Sequence, residues 1–216
     1  MIRQLKYNTV KPLLRNILSW LMAEEILDPF RLVGGTALSL QLGHRESVDI
    51  DLFTDTPYGE INFDAINRHL KDNFDYVDSP DVPVGMGKSY FIGISAKESI
   101  KLDLYYTDPF IRPALTIDNI RLATLDEITA MKVDVIYRGA RKKDFWDLHE
   151  LLDSYSIPQM IQLHEERYRY AHDPHEILRN FTNFEIADND FEPICLKNKY
   201  WELIKLDFVE AVEKLS

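Results

Sequence analysis

The sequence predicts an α+β fold, with strands and helices mixed over residues 1–120 and helices alone over 121–216. Three observations carry that expectation. Short alternating apolar runs occur only in the first part. A double glycine, Gly34-Gly35, joins a strand to a short helix. From Thr124 onward, apolar residues recur at helical spacing.

Apolar positions over residues 10–27 predict a first helix, with Pro12 tolerated in its first turn. Strands are expected at 30–34 and 47–53, bracketing a short helix at 36–42. Residues 60–73 read as helix and 74–78 as extended chain. The stretch 79–88 is rich in Pro and Gly and reads as a loop. Tyr90–Ile94 and Ile100–Tyr105 alternate and form a hairpin around Ala96-Lys97-Glu98-Ser99. Thr124-Leu125-Asp126-Glu127 fits a capping box that opens a helix through Tyr137, and Gly139 ends it. Further helices follow at 142–153, from Pro158, at 174–181 and at 198–214. The seam between the two halves falls near 118–123, and the last sixty or so residues add little to the functional reading.

Composition narrows the function. Hydrophobic residues make up 45% and charged residues 28%, an ordinary soluble balance. A formal charge of −11 disfavours broad, sequence-independent adhesion to nucleic acid, although Arg138, Arg141, Lys142 and Lys143 form a local basic cluster. The single cysteine, Cys195, rules out an internal disulfide. No cleavable signal is visible, and no apolar run approaches the roughly 20 residues of a membrane span, so the expected setting is cytoplasmic, with no membrane partner.

The chemistry concentrates in acids on strands. Alternate residues of a strand share a face, so Asp49 and Asp51 point one way while Val48, Ile50 and Leu52 point into a core. Lys101-Leu102-Asp103-Leu104 places a third acid on the hairpin. Carboxylates held side by side repel unless a cation lies between them, and Mg²⁺ takes such oxygen ligands. Three acids can hold two Mg²⁺ ions roughly 3.5–4 Å apart, the clamp used in phosphoryl-type transfer. Gly34 and Gly35 clear side chains from the start of the next helix, where an anion could approach its amides. The alternative reading of Asp-x-Asp is a solvated polar strand end.

Gly34-Gly35-Thr36 followed by Asp49-Ile50-Asp51-Leu52 resembles the signature of the DNA polymerase β-like nucleotidyltransferase superfamily. The longer runs LVGGTALSLQLGHRESVDIDLF and LATLDEITAMKVDVIYRGARKKDFWDLHELL resemble the AbiEii/AbiGii toxin family, over about residues 30 to 152. The resemblance implies a minimal nucleotidyltransferase mixed β-sheet flanked by helices, with a helical C-terminal domain completing the cleft. It also implies a Mg²⁺-dependent enzyme that takes an NTP, with two ions when the nucleotide is bound. Such proteins are often the toxin of a toxin–antitoxin or abortive-infection pair. The implied partners are an RNA acceptor, tRNA ends among them in some relatives, and a cognate antitoxin. By the same resemblance Asp49 and Asp51 are metal ligands, and Asp103 completes the metal shell and accepts the proton of the attacking hydroxyl. Gly34, Gly35 and Thr36 line the triphosphate site, Lys132 meets nucleotide phosphates, and Asp144 and Asp147 form the terminal acidic motif.

The residues themselves leave alternatives beside these roles. Asp144 and Asp147 share one helix face, with Asp144 in the first turn where the helix dipole favours a carboxylate. Asp144 could equally cap its helix or pair with Arg138, Arg141 or Lys143. Lys132 sits among Ile128, Met131 and Val135, where a lone lysine commonly snorkels to the surface. Arg45 either clamps a phosphate and orients Asp49, or pairs with a nearby acid. Tyr168 and Tyr170 read as packing residues more than as a base-stacking pair. His44, His164 and His172 read as surface residues, with no zinc-like pairing. Gly85-Met-Gly-Lys88-Ser89 is not a P-loop, because Val82 stands where the first glycine is required. Two rivals to the toxin reading remain: a nucleotidyltransferase acting on a small hydroxyl compound such as an antibiotic, and a non-catalytic nucleotide- or partner-binding module on the same scaffold.

Overall fold

The structure, a computed structural model, describes residues 4–80 and 85–215. The middle of the expected 79–88 loop, residues 81–84, lies outside the described residues. Strand alternation sets the architecture. In β2 (Ile50–Thr54) and β5 (Glu98–Tyr106), Ile50, Leu52, Leu102 and Leu104 are fully buried, while Asp51 and Asp103 stand between them on the opposite face. Burying each such side chain contributes about 1.5–3 kcal/mol, so one apolar face fixes the register of both strands. The two pair in parallel with Asp51 directly beside Asp103.

The remaining strands are β1 (Arg31–Leu32), β3 (Tyr76–Asp78), β4 (Gly87–Ser95), β6 (Leu115–Ile117) and β7 (Ile120–Leu122). Among the described residues they form one mixed sheet in the order β3-β4-β5-β2-β1-β7-β6. The expected hairpin is β4–β5, antiparallel and longer than its sequence signal. A second hairpin, β6–β7, was not expected. Asp118 and Asn119 turn it at φ +50° and +61°, the backbone that a two-residue hairpin turn demands. Because β7 pairs in parallel with β1, the sheet runs on to Leu122 through the region of the expected seam.

Helices α1 (Pro12–Ala23), α2 (Gly34–Leu42) and α3 (Phe63–Asn73) belong to the first half. The second half holds α4 (Leu125–Arg138), α5 (Lys142–Leu151), α6 (Ile157–Arg167), α7 (Pro174–Asn180), α8 (Glu185–Asp188) and α9 (Trp201–Glu213). Helix α4 joins the halves, packing against α2 on one side and α5, α6 and α7 on the other. Beyond it, Phe145, Trp146, Phe181, Trp201 and Phe208 build an aromatic core. The sequence placed that core in helices without saying what it braces. Residues 194–196 answer this: Cys195 bridges Arg45, Leu196 N–H donates to the His44 carbonyl at 2.9 Å, and Glu46 N–H donates to the Ile194 carbonyl at 2.9 Å.

Several local expectations need correction. Strand β2 starts at Ile50, so Asp49 precedes it and Val48 is 57% exposed instead of lying in the core. Helix α2 starts at Gly34 and not at 36, with the glycines forming its first turn. The Thr124 hydroxyl does cap α4, accepting from Glu127 N–H at 3.3 Å. Glu127 does not return to complete a box; its buried carboxylate takes Ile111 N–H at 2.8 Å and pairs with Arg167 at 2.7 Å. His44 and His164 are fully buried, not surface residues, because each is drawn inward by an aspartate.

Candidate active site

The parallel pairing of β2 and β5 sets Asp51 and Asp103 side by side, and Asp49 enters from the loop just before β2. Burial raises the Asp51 carboxyl, and repulsion from Asp103 and then Asp49 adds to it, bringing it up from 3.8 to about 6. The Asp103 Oδ1 atom is buried without a partner. Its other oxygen pairs with Lys101, two residues back on the same strand face. An under-neutralised acid cluster with an orphaned carboxylate oxygen is a donor set that a hard divalent cation fits. Among the described residues, no three acids are gathered as a ready-made ligand cage.

Gly34 packs against this cluster. Its φ is +67°, and a Cβ there would lie 2.6 Å from Asp51 Oδ2. Both facts require glycine. A side chain at Gly35 would collide with the Arg45 guanidinium. The first amides of α2 therefore open beside the acids, at the positive end of a helix. The Thr36 hydroxyl, buried under this turn, contacts the Asp49 carbonyl and Ser47 Oγ, tying the helix start to the loop that carries Asp49.

A second network, of paired charges, lies across the cleft. Asp147 is fully buried and receives Arg45 Nε at 2.6 Å, Arg45 Nη2 at 2.8 Å, His44 Nε2 at 2.8 Å and Lys132 Nζ at 2.6 Å. Burial works against its charge, but Arg45, then Lys132 and His44, hold it well below the usual carboxylate range. Lys132 also donates to Asp144 Oδ1 at 2.7 Å, and Asp144 Oδ2 caps α5 by accepting Arg141 N–H at 3.1 Å. Burial disfavours the Lys132 ammonium, yet Asp144 and Asp147 raise its pKa above the ordinary value.

Between the networks lies a cleft of about 330 Å³. Gly34, Gly35, Arg45, Asp49, Asp51, Lys132 and Asp144 all line it, so seven of the residues singled out by sequence converge there. Asp103 pairs beside Asp51 but does not itself line the cleft, and neither do the buried Thr36 and Asp147. Sequence reasoning missed Lys101, although its i, i+2 spacing to Asp103 on one strand was visible. It also missed His44 as an Asp147 partner and residues 194–196 as the brace of the Arg45 loop; no local signal marks either contact. Phe53, Met131 and Tyr168 give the cleft an apolar flank, whereas Tyr170 is fully exposed outside it.

Residues 17–214 match the family described as "Nucleotidyl transferase AbiEii toxin, Type IV TA system". A curated relative, protein aq_aa25 of Aquifex aeolicus (strain VF5), is 28% identical over 209 residues, covering 93% of this chain and 94% of its own length. Among solved structures, MenT4, a nucleotidyltransferase toxin from Mycobacterium tuberculosis, superposes with a TM-score of 0.61 at 13% identity, over 94% of this chain and 82% of that one. JHP933 from Helicobacter pylori gives 0.58 at 17% identity, over 94% and 88%. At these identities the two structures establish a shared fold.

Proposed function

This chain belongs to the AbiEii family of nucleotidyl transferase toxins and is a nucleotidyltransferase, and on that premise we propose that it moves a nucleoside monophosphate from an NTP to a hydroxyl of RNA in a Mg²⁺-dependent reaction. The hydroxyl oxygen attacks the α-phosphorus, the bond to the bridging oxygen breaks, and pyrophosphate leaves. Asp49, Asp51 and Asp103 hold Mg²⁺. When bound, that ion polarises the α-phosphate and neutralises charge on the attacking and leaving oxygens. The protein's own groups supply the rest. Asp103, with an unpartnered buried oxygen, accepts the proton of the attacking hydroxyl. The amides at Gly34 and Gly35 receive triphosphate oxygens at the α2 terminus.

Lys132 has three donors and spends two on Asp144 and Asp147, leaving one for phosphate. Arg45 is doubly bonded to Asp147, so it acts first as a positioning residue that stiffens the loop before Asp49. Asp147 in turn positions Arg45 and Lys132, and Asp144 sets Lys132 at the cleft wall. The observation that carries the proposal is the acid cluster: Asp51, raised to about 6 by burial and then by two acid neighbours, sits against a glycine helix start.

Family membership supports action as a toxin, and we place the protein in the bacterial cytoplasm with a cognate antitoxin and tRNA ends as acceptor. None of the helices is long and apolar enough to cross a membrane among the described residues. The test is incubation with labelled NTPs, Mg²⁺ and total RNA, followed by sequencing of RNA 3′ ends. Labelled or extended ends from wild type and none from Asp51→Ala support the proposal. No transfer and no self-labelling by wild type, or equal transfer by Asp51→Ala, overturns it. A formal charge of −11 favours a second reading, a small hydroxyl acceptor, which gives labelled small molecules with RNA ends unchanged.

A further inference from the structure

We propose that Lys101 is a built-in counter-ion of the acid cluster. Its ammonium holds the place of a second divalent ion until nucleotide arrives, so the nucleotide-free protein binds one ion and not two. This rests on the nucleotidyltransferase reading and adds what balances the site before substrate binds.

Lys101 and Asp103 occupy alternate positions of β5 and so share a face, and Asp103 stands beside Asp51 on β2. The Lys101–Asp103 contact is the single ion pair that Asp49, Asp51 or Asp103 makes among the described residues. The other nearby cations are committed elsewhere. Lys132 bonds Asp144 and Asp147 at 2.7 and 2.6 Å, and Arg45 holds Asp147 through two of its nitrogens. Three ionised carboxylates and one ammonium leave two negative charges, which one divalent ion neutralises. A second ion therefore meets a neutral cluster while Lys101 is in place, and one that still carries a negative charge once Lys101 has left Asp103. Arrival of a polyphosphate carrying its own ion reverses that balance, because the anion compensates the added charge.

Lys101 is built to leave. Its side chain is 38% exposed on a flexible four-carbon stem, whereas Asp103 is 16% exposed and keeps Oδ1 buried without a partner. The ammonium can swing to solvent while the carboxylate stays in place.

The test is a Mn²⁺ titration without nucleotide, read by the paramagnetic resonance of free Mn²⁺ and by calorimetry. Neither readout depends on catalysis. Wild type binds one ion per chain. Lys101→Met binds two, the first at least about tenfold tighter, since one positive charge has left a partly buried cluster. Lys101→Arg keeps one. Lys97→Met removes the same net charge from the exposed β4–β5 turn and behaves as wild type. Two ions on wild type, an unchanged Lys101→Met, or an equal gain from Lys97→Met overturns the proposal. Binding to neither wild type nor Lys101→Met overturns the metal reading itself, and this inference with it.

Discussion

Replacing Asp147 by asparagine tests the buried network of paired charges most directly. The side chain is fully buried and neutralises Arg45 and Lys132 at once, with a third hydrogen bond from His44. Asparagine keeps the shape and removes the charge. Arg45 and Lys132 are then left in the interior with Asp144 alone opposing them. Removing one partner of a buried ion pair costs about 3–5 kcal/mol. For a chain of this size each kcal/mol moves Tm by about 2–4 °C, so Asp147→Asn melts about 6–20 °C below wild type.

The pH dependence has a definite sign. The native carboxyl is held well below its usual value, so the unfolded chain binds the proton first as pH falls. Its contribution is fully present above the unfolded value of about 4 and is lost as pH falls through the lower native one. Urea denaturation followed by circular dichroism across a pH series reads both effects. The gap between wild type and variant is flat from neutral pH to about 5 and narrows below about 4. A loss under about 1 kcal/mol, the range of an exposed pair, or a gap that widens on acidification would refute the reasoning.

The acid cluster gives the opposite sign. Asp51 is raised to about 6, so it opposes folding above that pH, and Asp51→Asn stabilises the metal-free protein by at most about 3 kcal/mol there, with no gain below about pH 4; thermal melts with excess chelator measure this, and lower stability of the variant at neutral pH contradicts it. Mn²⁺ binding to the nucleotide-free protein weakens as pH falls through about 6, because the ion must displace the Asp51 proton, and an affinity flat from pH 5 to 8 removes Asp51 from the metal site. Gly34→Ala puts a methyl 2.6 Å from Asp51 Oδ2 in a left-handed backbone, costing about 1–2 kcal/mol and weakening Mn²⁺ binding, as titration of the folded variant reads. Glu127→Gln breaks the fully buried pair with Arg167 and lowers stability by about 3–5 kcal/mol, while kcat at low temperature stays near the wild-type value because Glu127 is outside the cleft.

Local pattern decided much of this molecule in advance. Period-two alternation placed Asp51 and Asp103 on the polar face of two strands, since burial of Ile50, Leu52, Leu102 and Leu104 allows no other register. Gly34-Gly35 marked a backbone that side chains cannot occupy, and apolar spacing marked the helical half. Weak signals failed where tertiary contact overrides them. Two residues suffice for β1 because β2 and β7 flank it, and the β6–β7 hairpin did carry a signal, apolar residues alternating on both sides of Asp118-Asn119, but over strands of only three residues each. The destinations of charges were also hidden. Nothing local tells Glu127 to pair with Arg167 instead of closing a capping box, or His44 to turn inward toward Asp147.

The division follows from the range of the forces. Alternation, glycine conformation and helical period act between neighbours, so the sequence alone determined which residues are acids on strands and which turn has no side chains. Charge pairing acts between residues a hundred positions apart, such as Arg45 and Asp147, and the brace at Cys195 reaches further still. Only the folded chain decided which cations are spent, which oxygen is left without a partner, and that the strand carrying Lys101 and Asp103 lies beside Asp51.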